Sequence, residues 1–205
     1  MALVAAALTA CGSTDSARPP AAASASGTAT AAASTSVAPQ APAPIETAGI
    51  PTSQRRTFVP TLLRLPSGAQ VPVDPAGVDG GGVLAVPADI GRAGWWTSGA
   101  KAADPFGGVV IAGHVDSAEA GIGAMAELVD VKMGSDVVLQ GSGERRVYRI
   151  ISRKQVPKAR LSADLGVFDQ VVPERLVLIT CGGRFDPVAR HYADNLVVIA
   201  EPRVS

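Results

Sequence analysis

Cys181, His114 and two arginines, Arg184 and Arg190, are the residues of this sequence whose types and placing suit covalent acyl chemistry. Cys181 follows Leu176-Val177-Leu178-Ile179-Thr180 and precedes Gly182-Gly183. A thiol there stands where a buried strand emerges, and the glycines leave its approach open and let the chain bend. His114 ends the run Gly108-Val109-Val110-Ile111-Ala112-Gly113 in the same manner. A thiol acts as a nucleophile in its thiolate form, which a neighbouring base or positive charge populates. Imidazole, titrating near neutrality, can supply both. A guanidinium offers fixed N–H donors to a carbonyl or an oxyanion. Each residue taken singly has a plain alternative. A cysteine is often a small buried apolar residue, and a lone histidine or arginine is usually structural or solvated.

Short strands are the elements that would hold these groups. Apolar runs fall at 61–65, 70–73, 82–86, 108–112, 136–140, 146–151, 175–180 and 195–200. Between them lie turn formers such as Pro66-Ser67-Gly68, Asp79-Gly80-Gly81-Gly82 and Gly141-Ser142-Gly143. Many short strands with Gly and Pro turns predict an all-β domain, a sandwich or a barrel. One helical piece is expected at 122–128, where Ile122, Met125 and Leu128 share a face. Trp95-Trp96 are read as a turn with one ring in the core and one at the rim; a ligand-stacking wall is the alternative. The polar stretch from Arg184 to Asn195 reads as a loop into the last strand. Asp116, two residues past His114, is placed either to orient the imidazole or to form a turn.

The 205 residues allow one ordinary domain with appendages. A formal net charge of zero argues against nucleic acid or an anionic surface as partner. Residues 1–11 are an uncharged apolar run ending in Cys11, too short to span a bilayer, which needs about 20 residues. They fit the hydrophobic part of a secretory signal, without its basic leader. Leu8-Thr9-Ala10-Cys11 resembles a bacterial lipobox, which implies cleavage before Cys11 and lipidation of its sulfur. A cleaved signal or a truncated signal anchor is the alternative. The expectation is an extracytoplasmic protein held at the outer face of the cell membrane through its N terminus. Residues 12–56, dominated by Ala, Ser, Thr and Pro, lack the apolar side chains needed to offset ordering entropy, and are read as a disordered linker. The folded domain is expected at 57–205. No metal is expected, because two cysteines and two histidines without close pairing do not make a zinc site.

Four separated blocks resemble the sortases, most closely the actinobacterial group called class F (class E/F-like). They are Trp95-Trp96; Ala112-Gly113-His114-Val115-Asp116; Leu178-Ile179-Thr180-Cys181-Gly182-Gly183 with Phe185-Asp186; and Arg190-His191-Tyr192 with Asp194-Asn195. The likeness covers about residues 57–202. It implies a closed eight-stranded β-barrel with one or two short helices and a cysteine transpeptidase without a cofactor. It also implies that Cys181 attacks the Thr–Gly bond of an LPXTG-like sorting signal to form a thioester. An amine, expected on a peptidoglycan precursor or another protein, then releases the acyl group. Carried over residue by residue, Cys181 is the nucleophile and His114 the acid and base. Arg190, directly before His191-Tyr192, is the oxyanion and positioning donor, while Arg184 falls in a more variable slot. Thr180, Gly182 and Asp116 are expected on the substrate-binding side. Three readings compete: an exported cysteine peptidase using the same residues with water as acceptor, a non-catalytic β-domain binding a wall ligand, and a Cys11–Cys181 disulfide that would disable the thiol.

Overall fold

Short runs with apolar side chains on one or both faces become strands, and the strands close on themselves. The computed structural model describes residues 56–79, 83–161, 166–188 and 190–203. Among these the strands are β1 (Leu62–Arg64), β2 (Gln70–Ala76), β3 (Ala93–Trp96), β4 (Gly108–Gly113), β5 (Asp116–Ser117), β6 (Gly121–Ile122), β7 (Asp136–Gly141), β8 (Glu144–Pro157), β9 (Arg175–Asp186) and β10 (His191–Pro202). Eight of them form a closed barrel in the order β1-β2-β3-β4-β9-β10-β8-β7, and β7 pairs back onto β1. β5 and β6 form a separate two-stranded hairpin. Among the described residues, helical structure is confined to two 3-10 pieces, Ala126–Asp130 and Lys158–Arg160. The expected all-β, eight-stranded barrel is the fold of the domain. The segments expected at 1–11 and 12–56, Cys11 included, lie outside the described residues apart from Arg56.

β4 and β9 run parallel. A parallel pair needs a long crossover connection, so the chain leaves β4 at His114 and returns to β9 only after residue 174. β4 is buried along its whole length, and β9 from Leu176 to Thr180. Their inward residues Val109, Ile111, Leu176 and Leu178 fill the barrel. Their outward residues Val110, Ala112, Val177 and Ile179 join a second apolar layer with Val156, Val197 and Ile199, against which Leu84, Val86, Leu161 and Phe168 pack. Burial on both faces is why these strands read as unbroken apolar runs rather than alternating ones. Each fully buried aliphatic side chain stabilises by about 1.5–3 kcal/mol. The two strands that lead to His114 and Cys181 are therefore firmly held.

Three local expectations are corrected. The run at 82–86 is no barrel strand: Leu84 makes an isolated bridge to Val78 and, with Val86, packs on the outer layer. The third barrel strand is Ala93–Trp96, which shows no strand pattern in the sequence because it opens with Ala and Gly. Gly94 is required there, since a Cβ would stand 2.8 Å from Ala76 Cβ on the neighbouring strand. The tryptophans accordingly straddle a strand, not a turn. Trp95 lies in the core with its indole N–H donating to the Ala100 carbonyl at 3.1 Å, and Trp96 meets Phe168 edge-on at 5.2 Å. At 122–128 Met125 and Leu128 are buried as expected, whereas Ile122 is exposed on β6.

One buried carboxylate ties β8 to the entry of β9. Glu174 accepts from Arg146 Nε and Nη2 at 3.0 and 2.7 Å, from the Tyr148 hydroxyl at 2.9 Å, and from the Ala103 backbone N–H at 3.1 Å. Burial first, and then the Glu174 charge, pushes the Tyr148 hydroxyl well above its usual titration range, so it remains a donor. Glu174→Ala leaves the half-buried Arg146 guanidinium uncompensated and is expected to cost about 3–5 kcal/mol of stability. Chemical denaturation of the variant measures this.

Candidate active site

The ladder between β4 and β9 ends at the pair Ala112 and Ile179. Continuing that register by two residues sets His114 level with Cys181, one strand away. Beyond this point the strands part and a cleft opens. It holds about 520 Å³ and is lined by His114, Asp116, Glu119, Cys181, Arg190 and Tyr192, among others. Strand alternation decides where the sulfur goes. Leu176, Leu178 and Thr180 face inward and Val177 and Ile179 outward, so Cys181 belongs to the outward set. Its thiol is half-buried and free.

Two further clefts reach the same sulfur. One, about 450 Å³, is an apolar groove on the outer face, bounded by Leu84, Val86, Ala112, Leu161, Phe168 and Ile179. The other, about 480 Å³, includes Arg153, Gly182, Gly183, Tyr192 and Leu196. Cys181 lines all three.

The imidazole is held from behind. His114 Nε2 lies 2.9 Å from the Pro87 carbonyl. A carbonyl only accepts, so Nε2 carries the proton and Nδ1 is the basic nitrogen of the neutral ring. The backbone at His114 is fixed by the N–H of Met125, which donates to the His114 carbonyl at 3.1 Å. A Cβ on Gly123 would stand 2.4 Å from that carbonyl oxygen, so only glycine allows this close approach.

The glycines after the cysteine do something the sequence did not suggest. β9 does not end at Cys181. It runs on to Asp186, and the residues from His191 onward pair with it as β10. Between the pairs Gly182–Asp194 and Tyr192–Phe185, β9 takes three steps where β10 takes two. That is a bulge on the β9 side. Gly183 occupies it at φ +77°, where a Cβ would fall 2.3 Å from Asp194 Oδ2. The stretch read as a loop from Arg184 to Asn195 is thus largely the tip of a hairpin arm.

Arg190 sits at that tip with φ +52° and lines the cleft with Cys181 and His114. Its Nη2 lies 3.3 Å from Glu119 Oε1, an exposed pair. Arg184 is exposed and lines none of the three clefts. Asp116 does line the main cleft, and its carboxylate accepts a hydrogen bond from the Tyr192 hydroxyl at 2.5 Å. Gly182 is buried and borders the cleft beside Leu196. Thr180 is 2% exposed on the inward face, and its hydroxyl has no hydrogen-bond partner among the described residues. Tyr192 and Glu119 were given no role from the sequence. Their positions two residues after Arg190 and five after His114 were the available signal, since a residue that close in sequence to a functional group shares its end of the fold.

A family model described as "Sortase: Sortase domain" matches residues 68–203. Among solved structures the chain resembles a lid mutant of sortase A from Corynebacterium diphtheriae, at 20% identity, 75% coverage of each chain and a TM-score of 0.53. It also resembles the SrtA sortase from Actinomyces oris, at 18% identity, 72% and 80% coverage and a TM-score of 0.53. A third similar structure is sortase C-1 from Streptococcus pneumoniae, at 17% identity, 71% and 67% coverage and a TM-score of 0.54. No curated protein matches. With the family model spanning most of the barrel and the barrel itself of the same fold, the chain belongs to the sortase family of cysteine transpeptidases.

Proposed function

We propose that the chain is a class F-type sortase, in which Cys181 cleaves an LPXTG-like sorting signal and passes the acyl group to an amine. The observation that carries this reading is the single cleft, at the end of the β4–β9 ladder, that His114, Cys181 and Arg190 all line. The Cys181 thiolate adds to the carbonyl of the Thr–Gly bond, forming the C–S bond and an oxyanion. N–H groups of Arg190 receive that oxyanion, which requires Arg190 to exchange Glu119 for substrate. The C–N bond then breaks, and His114 gives its proton to the departing amine. An incoming amine attacks the thioester and loses a proton to His114, and the thiolate leaves. The apolar groove bounded by Leu84, Leu161 and Phe168 suits the apolar part of the sorting signal. The acceptor is an amine on a peptidoglycan precursor or another protein. The protein is extracytoplasmic and held at the outer face of the cell membrane through its N terminus.

Incubation with a library of LPXTG-like peptides, with and without added amines, tests the reading by mass. A thioester on Cys181 and an amide formed only with amine support it. Hydrolysis unaffected by amine favours the peptidase alternative. Arg190→Ala is expected to lower the rate of thioester formation by about 10²–10³-fold, the cost of losing an oxyanion donor. Arg184→Ala is expected to stay within a few-fold of wild type. The reverse ranking would give the role to Arg184.

A further inference from the structure

The hairpin arm and the histidine segment face each other across the cleft without a shared sheet. Past Ala112 the histidine segment has backbone hydrogen bonds to its own connection, where the N–H groups of Gly123 and Met125 donate to the carbonyls of Val115 and His114. On the other side, β8 leaves β10 at Asp194, so the arm from Tyr192 to its tip is two-stranded. A two-stranded ribbon is marginal by itself. Its attitude towards His114 must then be set by side chains.

Two side-chain contacts among the described residues span the gap. Arg190 with Glu119 is a pair of largely exposed groups, 68% and 78% accessible, and such pairs hold weakly. In the second, Tyr192 is half-buried and Asp116 is exposed. The phenol donates to a carboxylate oxygen at 2.5 Å, a charge-assisted bond. The ring is steadied by an edge contact to Phe185 at 5.2 Å. The Tyr192 hydroxyl is pushed above its usual range, first by the bond to Asp116, then by burial, then by the charges of Asp116 and Cys181. It is therefore a donor throughout the neutral range. The placement is matched, since Asp116 lies two residues past His114 and Tyr192 two past Arg190.

We infer that the Tyr192–Asp116 hydrogen bond is a clamp that ties the imidazole segment to the Arg190-bearing arm beside Cys181, which makes both residues positioning residues for the transfer. The inference rests on the thiol–imidazole reading above. Without the clamp the imidazole segment, which lies beyond the β4–β9 ladder, shifts away from Cys181, which stays in the barrel and loses the base that promotes its thiolate. Tyr192→Phe keeps the contact to Phe185 and removes only the donor. Asp116→Asn keeps an acceptor oxygen, and Asp116→Ala removes it.

The test is the pH dependence of Cys181 alkylation by iodoacetamide, a probe that needs no knowledge of the peptide substrate. Tyr192→Phe and Asp116→Ala are each expected to slow alkylation near neutral pH by about tenfold, the effect of one hydrogen bond to a charged group. The double variant should be no slower than the slower single, because the two act through one bond. Asp116→Asn, which keeps the acceptor without its charge, should recover part of the rate lost in Asp116→Ala, and thermal unfolding should be unchanged in Tyr192→Phe. Wild-type alkylation in Tyr192→Phe, or losses that multiply in the double variant, would overturn the clamp. If His114→Ala leaves the wild-type profile untouched, the thiol–imidazole reading itself fails. A changed His114→Ala profile beside an unchanged Tyr192→Phe profile removes the clamp alone.

Discussion

Cys181→Ala is expected to end thioester formation and acyl transfer, a loss of about 10⁴-fold or more, while the barrel stays folded. The sulfur is the atom that forms and breaks the acyl bond, and no other cysteine occurs among the described residues. The fold should tolerate the change. Cys181 is half-buried on the outward face of β9, its backbone pairs with Asn195 in the ladder, and no core residue depends on its side chain for packing. A substitution of this kind usually shifts stability by less than about 1 kcal/mol. The measurement is intact mass after incubation with a cleavable peptide. Wild type gains the acyl fragment and the variant does not. Transfer by the variant at the wild-type rate would refute the thiol chemistry.

His114→Ala should follow closely, with losses of about 10²–10⁴-fold in both acylation and transfer. Both halves of the reaction move a proton at an amine nitrogen, and Nδ1 is the basic site of the neutral ring. The ring also has a bond to lose, from Nε2 to the Pro87 carbonyl, worth about 1 kcal/mol. Stability should therefore drop only slightly. Rapid-quench measurement of the acyl-enzyme, followed by its release with an amine, separates the two steps. If acylation falls and release does not, the imidazole serves only to ionise the thiol.

The residues proposed to carry the chemistry stood out because chemistry restricts residue type. A thiol after an apolar run, an imidazole after another, and an arginine beyond them have few equivalents in a chain with two cysteines and two histidines. The two central strands were legible for a related reason. Burial on both faces of β4 and β9 leaves only apolar residues acceptable there, and unbroken runs are visible in one dimension. β3 was not legible, because Gly94 is chosen for contact with Ala76 on another strand. Neither was the hairpin arm. Gly182-Gly183 is an ordinary turn signal, and its use as a strand with a bulge depends on pairing with residues from Asp194 back to His191.

By itself the sequence determined the all-β class and singled out Cys181, His114 and two candidate arginines by residue type and placing, while the preference for Arg190 over Arg184 came from the likeness to the sortases. Periodicity and residue type are local properties, so the chain states them outright. The tertiary structure alone decided that His114 and Cys181, with 66 residues between them, line one cleft at the end of a parallel ladder. It also decided that the polar stretch folds back as an arm and that the Tyr192 hydroxyl donates to Asp116. These depend on which strands become neighbours when the barrel closes, and that is set by the burial of the whole core, not by any one segment.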